Sequence, residues 1–312
     1  MKPDIVVAPR LYDKVMRGLE ADFTLHPLWE AKDASAFLAP IKDKIRGFAS
    51  FTSYPVTAAL IAALPRLEII ATMSVGTDHI DLAAAKARGI FVTNAPDVLT
   101  DCVADIGMGL VLAVARQIVV ADRFVRAGQW LKGNFPLATK IGGATMGIVG
   151  LGRIGRAVAK RAEGFGMRIV YFGRRRQSDI DYPFFDDLVA MARESDYLML
   201  TCPGGTATRH LVNRVVVEAL GPEGVLINIA RGSVVDEQAM VAALREGRLG
   251  AAGLDVYEDE PRVPEALCAM DNVVLLPHLA SATHTTRAIM GQLMIDNLKA
   301  HFAGQPLLTP VT

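Results

Sequence analysis

The sequence predicts an α/β protein made of two doubly wound parallel sheets. Short apolar runs alternate with helix-forming segments, the alternation runs through two successive series, and a glycine-rich strand–turn–helix motif opens the second series and not the first. A dinucleotide fingerprint normally opens its own domain, so the roughly one hundred residues ahead of this one must form a separate domain.

In the first series Asp4–Ala8, Phe23–His26, Gly47–Phe51, Glu68–Thr72 and Ile90–Thr93 read as strands. Leu11–Glu20, Val56–Leu64 and Leu82–Arg88 lie between them, and their Ala, Leu and charged residues favour helix. After Pro96 one long helix is expected, from about Val98 to Gly128, followed by the looser Gly133–Gly143. The second series supplies Thr145–Val149, Arg168–Phe172, Tyr197–Thr201, Val225–Ile229, Ala251–Asp255 and Val273–Leu276. Thr285–Gly304 sets Ile289, Leu293, Leu298 and Phe302 near helical spacing, predicting an amphipathic terminal helix. Its packing partner is not legible from that spacing.

Composition narrows the function. The 312 residues are 51% hydrophobic and 21% charged, which excludes a disordered chain. Thirty-three basic residues balance 33 acidic ones without a basic block, so neither nucleic acid nor an anionic membrane is an expected partner. Val103–Ala121 is the most apolar stretch, but Asp105, Arg116 and Gln117 interrupt it short of the ~20 residues of a membrane span, and it reads as a buried helix. The start, Met1-Lys2-Pro3-Asp4, lacks the features of a signal peptide, so the expected compartment is the cytoplasm. Cys102, Cys202 and Cys268 are isolated and the six histidines form no HxxxH pair, so no metal site is predicted.

The motif is Gly150-Leu151-Gly152-Arg153-Ile154-Gly155, between an apolar strand and a helical segment. Gly150 permits the tight turn, Gly152 the approach of a pyrophosphate and Gly155 close helix–sheet packing, while the helix start offers free N–H groups. Glycine turns also occur in α/β proteins that bind no nucleotide; the strand–turn–helix setting favours binding. About 20 residues on, where NAD-selective folds place an acid on the ribose, the chain has Gly173-Arg174-Arg175-Arg176. Without that carboxylate, and with guanidiniums able to fork onto a 2′-phosphate, NADPH is expected over NADH. The competing reading is an exposed basic turn.

Three predicted strands end in polar residues: Asn228–Gly232, Asp255–Pro261 and Pro277–Thr283. Ligands of doubly wound sheets bind beyond the carboxyl ends of the strands, so these segments can meet a cofactor. Arg231 could grip a substrate carboxylate, His278 could exchange a proton with a carbonyl oxygen, and Glu260 could orient the imidazole and stabilise its charged form. Each residue alone could be structural; their joint occurrence after successive strands argues for chemistry.

These segments, with Asn228–Asp236, Gly253–Val256, Glu260-Pro261 and Pro277-His278, resemble the D-2-hydroxyacid dehydrogenases over nearly the whole chain. Ser74–His79, Asp97–Asp101 and the arginine run resemble the glyoxylate/hydroxypyruvate reductase branch, including relatives that take bulkier aryl 2-keto acids. The resemblance implies a Rossmann cofactor domain, residues 99–284, inserted into a flavodoxin-like substrate domain, residues 1–98 with 285–312. It implies the catalytic set Arg231, Glu260 and His278, with N–H groups at Val75 and Gly76 on the substrate carboxylate. It further implies that Asp255 holds the nicotinamide carboxamide, and that Arg153, Ile154, Cys202, Pro203, Thr208, Ile229, Ala230, Ala280 and Ser281 line the cofactor.

Two departures stand out: Gly173 replaces the usual acid, and Ala280 stands where many members have glycine. Phe51–Pro55, Met73, Trp130 and Phe135 are the candidates for substrate discrimination. A small-molecule 2-keto acid and a second copy of the chain, paired through the Val98–Gly128 region, are the expected partners. The alternatives weighed are a phosphoglycerate dehydrogenase-like enzyme, disfavoured because no added regulatory domain follows, and a nucleotide-sensing corepressor scaffold, for which an intact catalytic set would be superfluous.

Overall fold

Strands buried on both faces pair in parallel here beneath covering helices. The computed structural model describes residues 2–311 and divides into two units. One takes in the chain up to Leu99 and resumes at Ala282; the other is Thr100–Ser281.

The first unit runs β1 (Asp4–Ala8), α1 (Asp13–Asp22), β2 (Thr24–Pro27), α2 (Ala34–Leu38), β3 (Ile45–Ser50), α3 (Ala58–Ala62), β4 (Ile69–Thr72), α4 (Leu82–Ala87) and β5 (Phe91–Thr93). Its five strands are parallel in the order β2-β1-β3-β4-β5, the flavodoxin-like arrangement.

The second unit contains α5 (Thr100–Ala115), α6 (Ile118–Arg126), β6 (Thr145–Val149), α7 (Arg153–Gly164), β7 (Arg168–Phe172), β8 (Phe184–Phe185), α8 (Leu188–Arg193), β9 (Tyr197–Leu200), α9 (Arg214–Leu220), β10 (Val225–Asn228), α10 (Glu237–Arg245), β11 (Ala251–Leu254), α11 (Glu265–Cys268) and β12 (Val273–Leu275). All seven strands are parallel in the order β12-β11-β10-β9-β6-β7-β8, a Rossmann order with one strand added. The order reverses between β6 and β9, so the crevice that such sheets offer a ligand opens at the carboxyl ends of these two strands.

The terminal helix, α12 (His284–Phe302), belongs to the first unit and packs on α1 and β4. Its buried face differs from the expected one. Met290, Met294, Ile295 and Leu298 are buried, whereas Ile289 is 47% exposed. Two polar residues share that face, Asn297 and Arg287. Asn297 donates to Leu293 O and Thr309 Oγ1 and accepts from the N–H groups of Leu308 and Thr309, while the Arg287 guanidinium lies 4.7 Å over the Phe51 ring.

The single helix expected over Val98–Gly128 is also corrected. It breaks after Ala115, and Gln117 turns left-handed (φ 50°) between α5 and α6, which meet at a 59° bend. Only α5 is a core helix: half its residues are buried, and none of α6 is. No single helix is long and apolar enough to cross a membrane; α5 and α6 reach that length only together, across the bend.

Candidate active site

Beyond β6 the chain turns into α7 through the glycine motif. Gly150 has φ +95°, and a Cβ there would stand 2.8 Å from the Cys202 backbone, so only glycine allows the turn to lie against the end of β9. Gly155 presses the first turn of α7 onto the Gly150 carbonyl in the same way. Gly152 caps α7 without a side-chain hydrogen bond, no acid lies in the first turn, and open space faces its Cα. The N–H groups that open α7, with no side-chain cap at Gly152 and room before it, suit a pyrophosphate, so these residues fit the dinucleotide that the motif implies.

The neighbouring segment after β9 is tied to this turn. Thr201 Oγ1 donates to Gly150 O at 2.6 Å, and Thr208 Oγ1 donates to the carbonyl of the exposed Pro203 at 2.7 Å. Burial pushes the Cys202 thiol up to about 11, so it stays neutral and lines the turn as a small apolar group. After β7, Gly173 is half-buried and Arg174, Arg175 and Arg176 are exposed; among the described residues no carboxylate pairs with the three guanidiniums.

At the end of β10, Asn228 shapes the arginine loop. Its Oδ1 accepts from the Ala230 N–H and its Nδ2 donates to the Arg231 carbonyl, both at 3.0 Å, leaving Ile229 and Ala230 buried. Arg231 Nη1 donates to Ala230 O at 2.7 Å. Gly232 lies so close to the Tyr257 carbonyl that no Cβ fits between them. That contact sets the arginine loop against the segment bearing Glu260.

His278 Nδ1 and Glu260 Oε2 are 2.7 Å apart, and Glu260 Oε1 accepts from the Tyr257 N–H at 3.1 Å. Partial burial pushes the Glu260 carboxyl up, but the bond and charge of His278, the Tyr257 N–H and the charge of Arg231 together hold it below the usual carboxylate range. His278 sits in left-handed backbone, φ 52°.

Asp255 is 1% exposed, and its two oxygens accept from the N–H groups of Leu279 (2.8 Å) and Ala280 (3.0 Å), while its carbonyl accepts from the His278 N–H at 2.8 Å. Burial raises its pKa and the two N–H bonds oppose the rise. The visible work of this carboxylate is thus to hold the loop that carries His278, Ala280 and Ser281. Arg231 and His278 act on the charge of Glu260, and His278 and Glu260 on that of Asp255; all four lie in the second unit.

In the first unit, Asn94 Nδ2 donates to the Val75 carbonyl and Ser74 Oγ to the Gly76 carbonyl, each at 2.7 Å, which fixes the orientation of that loop's peptides. Met73 is wholly buried, Tyr54 packs on Phe48 and Phe135 on Phe124, whereas Trp130 is 66% exposed. Sequence reading missed the shaping role of Asn228, whose only signal was a polar residue closing an apolar strand. It also missed Glu237, which accepts from the Glu258 N–H at 3.2 Å and helps fix the Glu260 segment. Among the described residues no group of three or more His, Cys, Asp or Glu could hold a metal.

Known proteins share this fold. The family model described as "D-isomer specific 2-hydroxyacid dehydrogenase, NAD binding domain" matches residues 108–280. A hydroxyphenylpyruvate reductase of Plectranthus scutellarioides is 50% identical over 293 residues, 94% of either chain, and a glyoxylate/hydroxypyruvate reductase of Arabidopsis thaliana matches to the same extent. Among solved structures, an NADPH-dependent glyoxylate/hydroxypyruvate reductase of Sinorhizobium meliloti in complex with NADP and malonate superposes with a TM-score of 0.95 at 43% identity, covering 100% of this chain and 97% of that one. Strand order, the uncapped glycine turn and these likenesses agree, and the chain belongs to the D-isomer-specific 2-hydroxyacid dehydrogenase family of oxidoreductases.

Proposed function

We propose that the protein reduces small 2-keto acids to D-2-hydroxy acids with NADPH. The observation that carries the reading is the 2.7 Å contact of His278 Nδ1 with Glu260, beside Arg231. Since Glu260 engages Nδ1, Nε2 is the nitrogen left to face a substrate. In the imidazolium, Nδ1–H donates to Glu260 and Nε2–H is given to the keto oxygen as the alcohol forms. The Nδ1 proton stays in place throughout, so the ring keeps its orientation. Arg231, with its backbone shaped by Asn228, supplies the fork for the substrate carboxylate. Bound NADPH supplies the hydride.

Two features support NADPH over NADH: the absence of an acid at Gly173, and three exposed guanidiniums beside it. The similar Sinorhizobium enzyme is described as NADPH-dependent. The names of the relatives suggest glyoxylate, hydroxypyruvate and bulkier aryl keto acids as substrates. Initial rates with NADPH and NADH against glyoxylate, hydroxypyruvate, pyruvate and phenylglyoxylate test the reading. Turnover with an NADPH preference is expected, and near-parental turnover by a folded His278→Ala variant would overturn the proton-donor assignment.

A second copy of the chain is the proposed partner. Ile118, Val125, Trp130, Leu131 and Leu137 are all at least half exposed along one segment, an apolar surface suited to burial in an interface. Light scattering at micromolar concentration should return the mass of a dimer; a monomer mass refutes it.

A further inference from the structure

Gln177 follows the arginine run directly and is anchored at three points. Its backbone N–H donates to the Tyr171 hydroxyl at 2.8 Å, its Nε2 donates to the Leu151 carbonyl at 2.7 Å, and its Oε1 accepts from Arg156 Nη2. Each anchor is itself fixed. Tyr171 lies in β7, wholly buried, with its ring 5.3 Å from that of Phe184. Leu151 is the residue between Gly150 and Gly152. Arg156, on α7, also binds Asp179 through two bonds of 2.7 and 3.1 Å, so the carboxylate nearest the arginine run in sequence is already engaged.

We infer that Gln177 is a specificity-positioning residue, locking the Arg174–Arg176 loop to the pyrophosphate-binding turn. The inference rests on the NADPH reading above. An unanchored loop would lose conformational freedom on meeting a 2′-phosphate, and that cost would be taken from the binding energy; a loop bonded at both backbone and side chain has been ordered in advance. NAD lacks the 2′-phosphate. Its pyrophosphate depends on the glycine turn, which is held independently of Gln177 by Gly150 N–H on Phe172 O (2.9 Å) and Thr201 Oγ1 on Gly150 O (2.6 Å). Loss of Gln177 therefore weakens one cofactor more than the other.

Calorimetric titration of the full-length protein with NADP+, NAD+ and 2′,5′-ADP tests this, comparing the parent with Gln177→Leu, Tyr171→Phe and the double variant Arg174→Ala/Arg175→Ala. With one neutral and one charge-assisted hydrogen bond removed, Gln177→Leu should weaken NADP+ and 2′,5′-ADP by on the order of tenfold, and NAD+ by less than about twofold. Tyr171→Phe should move the same ratio less far. Its loss of a single hydroxyl supplies the comparison if Gln177→Leu does not fold, and retained NAD+ binding shows folding in either variant. Equal weakening of NADP+ and NAD+ would mean that Gln177 merely supports the turn, and overturns the inference. An arginine double variant that loses NADP+ while Gln177→Leu and Tyr171→Phe keep it overturns the positioning role alone. A double variant that binds NADP+ as the parent does removes the NADPH reading and this inference together.

Discussion

Gly150, one residue past β6, and His278, three past β12, both lie in left-handed backbone at the carboxyl end of the same sheet, with φ of +95° and +52°. At Gly150 composition meets the requirement: no side chain is needed, and none would fit beside Cys202. At His278 the side chain is the proposed proton donor, which glycine would remove, and left-handed backbone there costs about 1–2 kcal/mol. The neighbouring bonds meet that cost. Asp255, buried across from the loop, takes the N–H groups of His278, Leu279 and Ala280 on three different oxygens. A binding turn is thus shaped by what its residue lacks, and a reacting turn by what surrounds its residue.

Exchanging the two solutions is the strongest way to break this comparison. His278→Gly should lower turnover by on the order of 10²–10⁴-fold, the usual worth of a general acid. Its unfolding free energy should stay within about 1 kcal/mol of the parent, because relief of backbone strain offsets the lost Glu260 bond. A large loss of stability in calorimetry would show that the loop is held by the imidazole and not by Asp255. The reverse change, Gly150→Ala, should cost about 2–4 kcal/mol in thermal unfolding, from φ strain together with contact against Cys202, and should weaken both cofactors alike. Parental stability would mean that the turn has slack that the close approach to Cys202 denies.

Much of this was legible in the chain. Most of the strands are largely buried, so they appear as apolar runs, and Thr145–Val149 and Arg168–Phe172 fall on the expected residues. The break at Gln117 left no sign, because neither glycine nor proline marks it. Strand β8, two residues long, is too short to show a pattern. The face of α12 was misjudged since it includes two polar members whose contacts spacing cannot reveal: Asn297, hydrogen-bonded to Leu293, Leu308 and Thr309, and Arg287, stacked over Phe51. Glu260 and His278 could be found from their places after strands. The loop-holding role of Asp255 and the side-chain anchoring of Gln177 could not, because their side-chain partners stand 21 to 26 residues away and no spacing motif links them.

The smallest expected effect separates where His278 is held from how it is charged. Glu260→Gln leaves the Asp255 bonds and the left-handed turn untouched, and a side-chain oxygen can still accept from the Tyr257 N–H. What it removes is the anion against Nδ1. In the parent, the Glu260 carboxyl is held below its ordinary range, so the carboxylate keeps its charge across neutral pH and loses it only as pH falls through the depressed value. Without the anion the imidazolium is less stable, so the alkaline limb of the reduction profile should move to lower pH. Turnover at neutral pH should fall by on the order of tenfold, the scale of one charge-assisted hydrogen bond. An unchanged alkaline limb would mean that Glu260 contributes only orientation. Placement, of the loop by Asp255 and of the ring by Glu260, would then be the whole of what the protein does for this histidine, and the contrast with Gly150 would reduce to geometry alone.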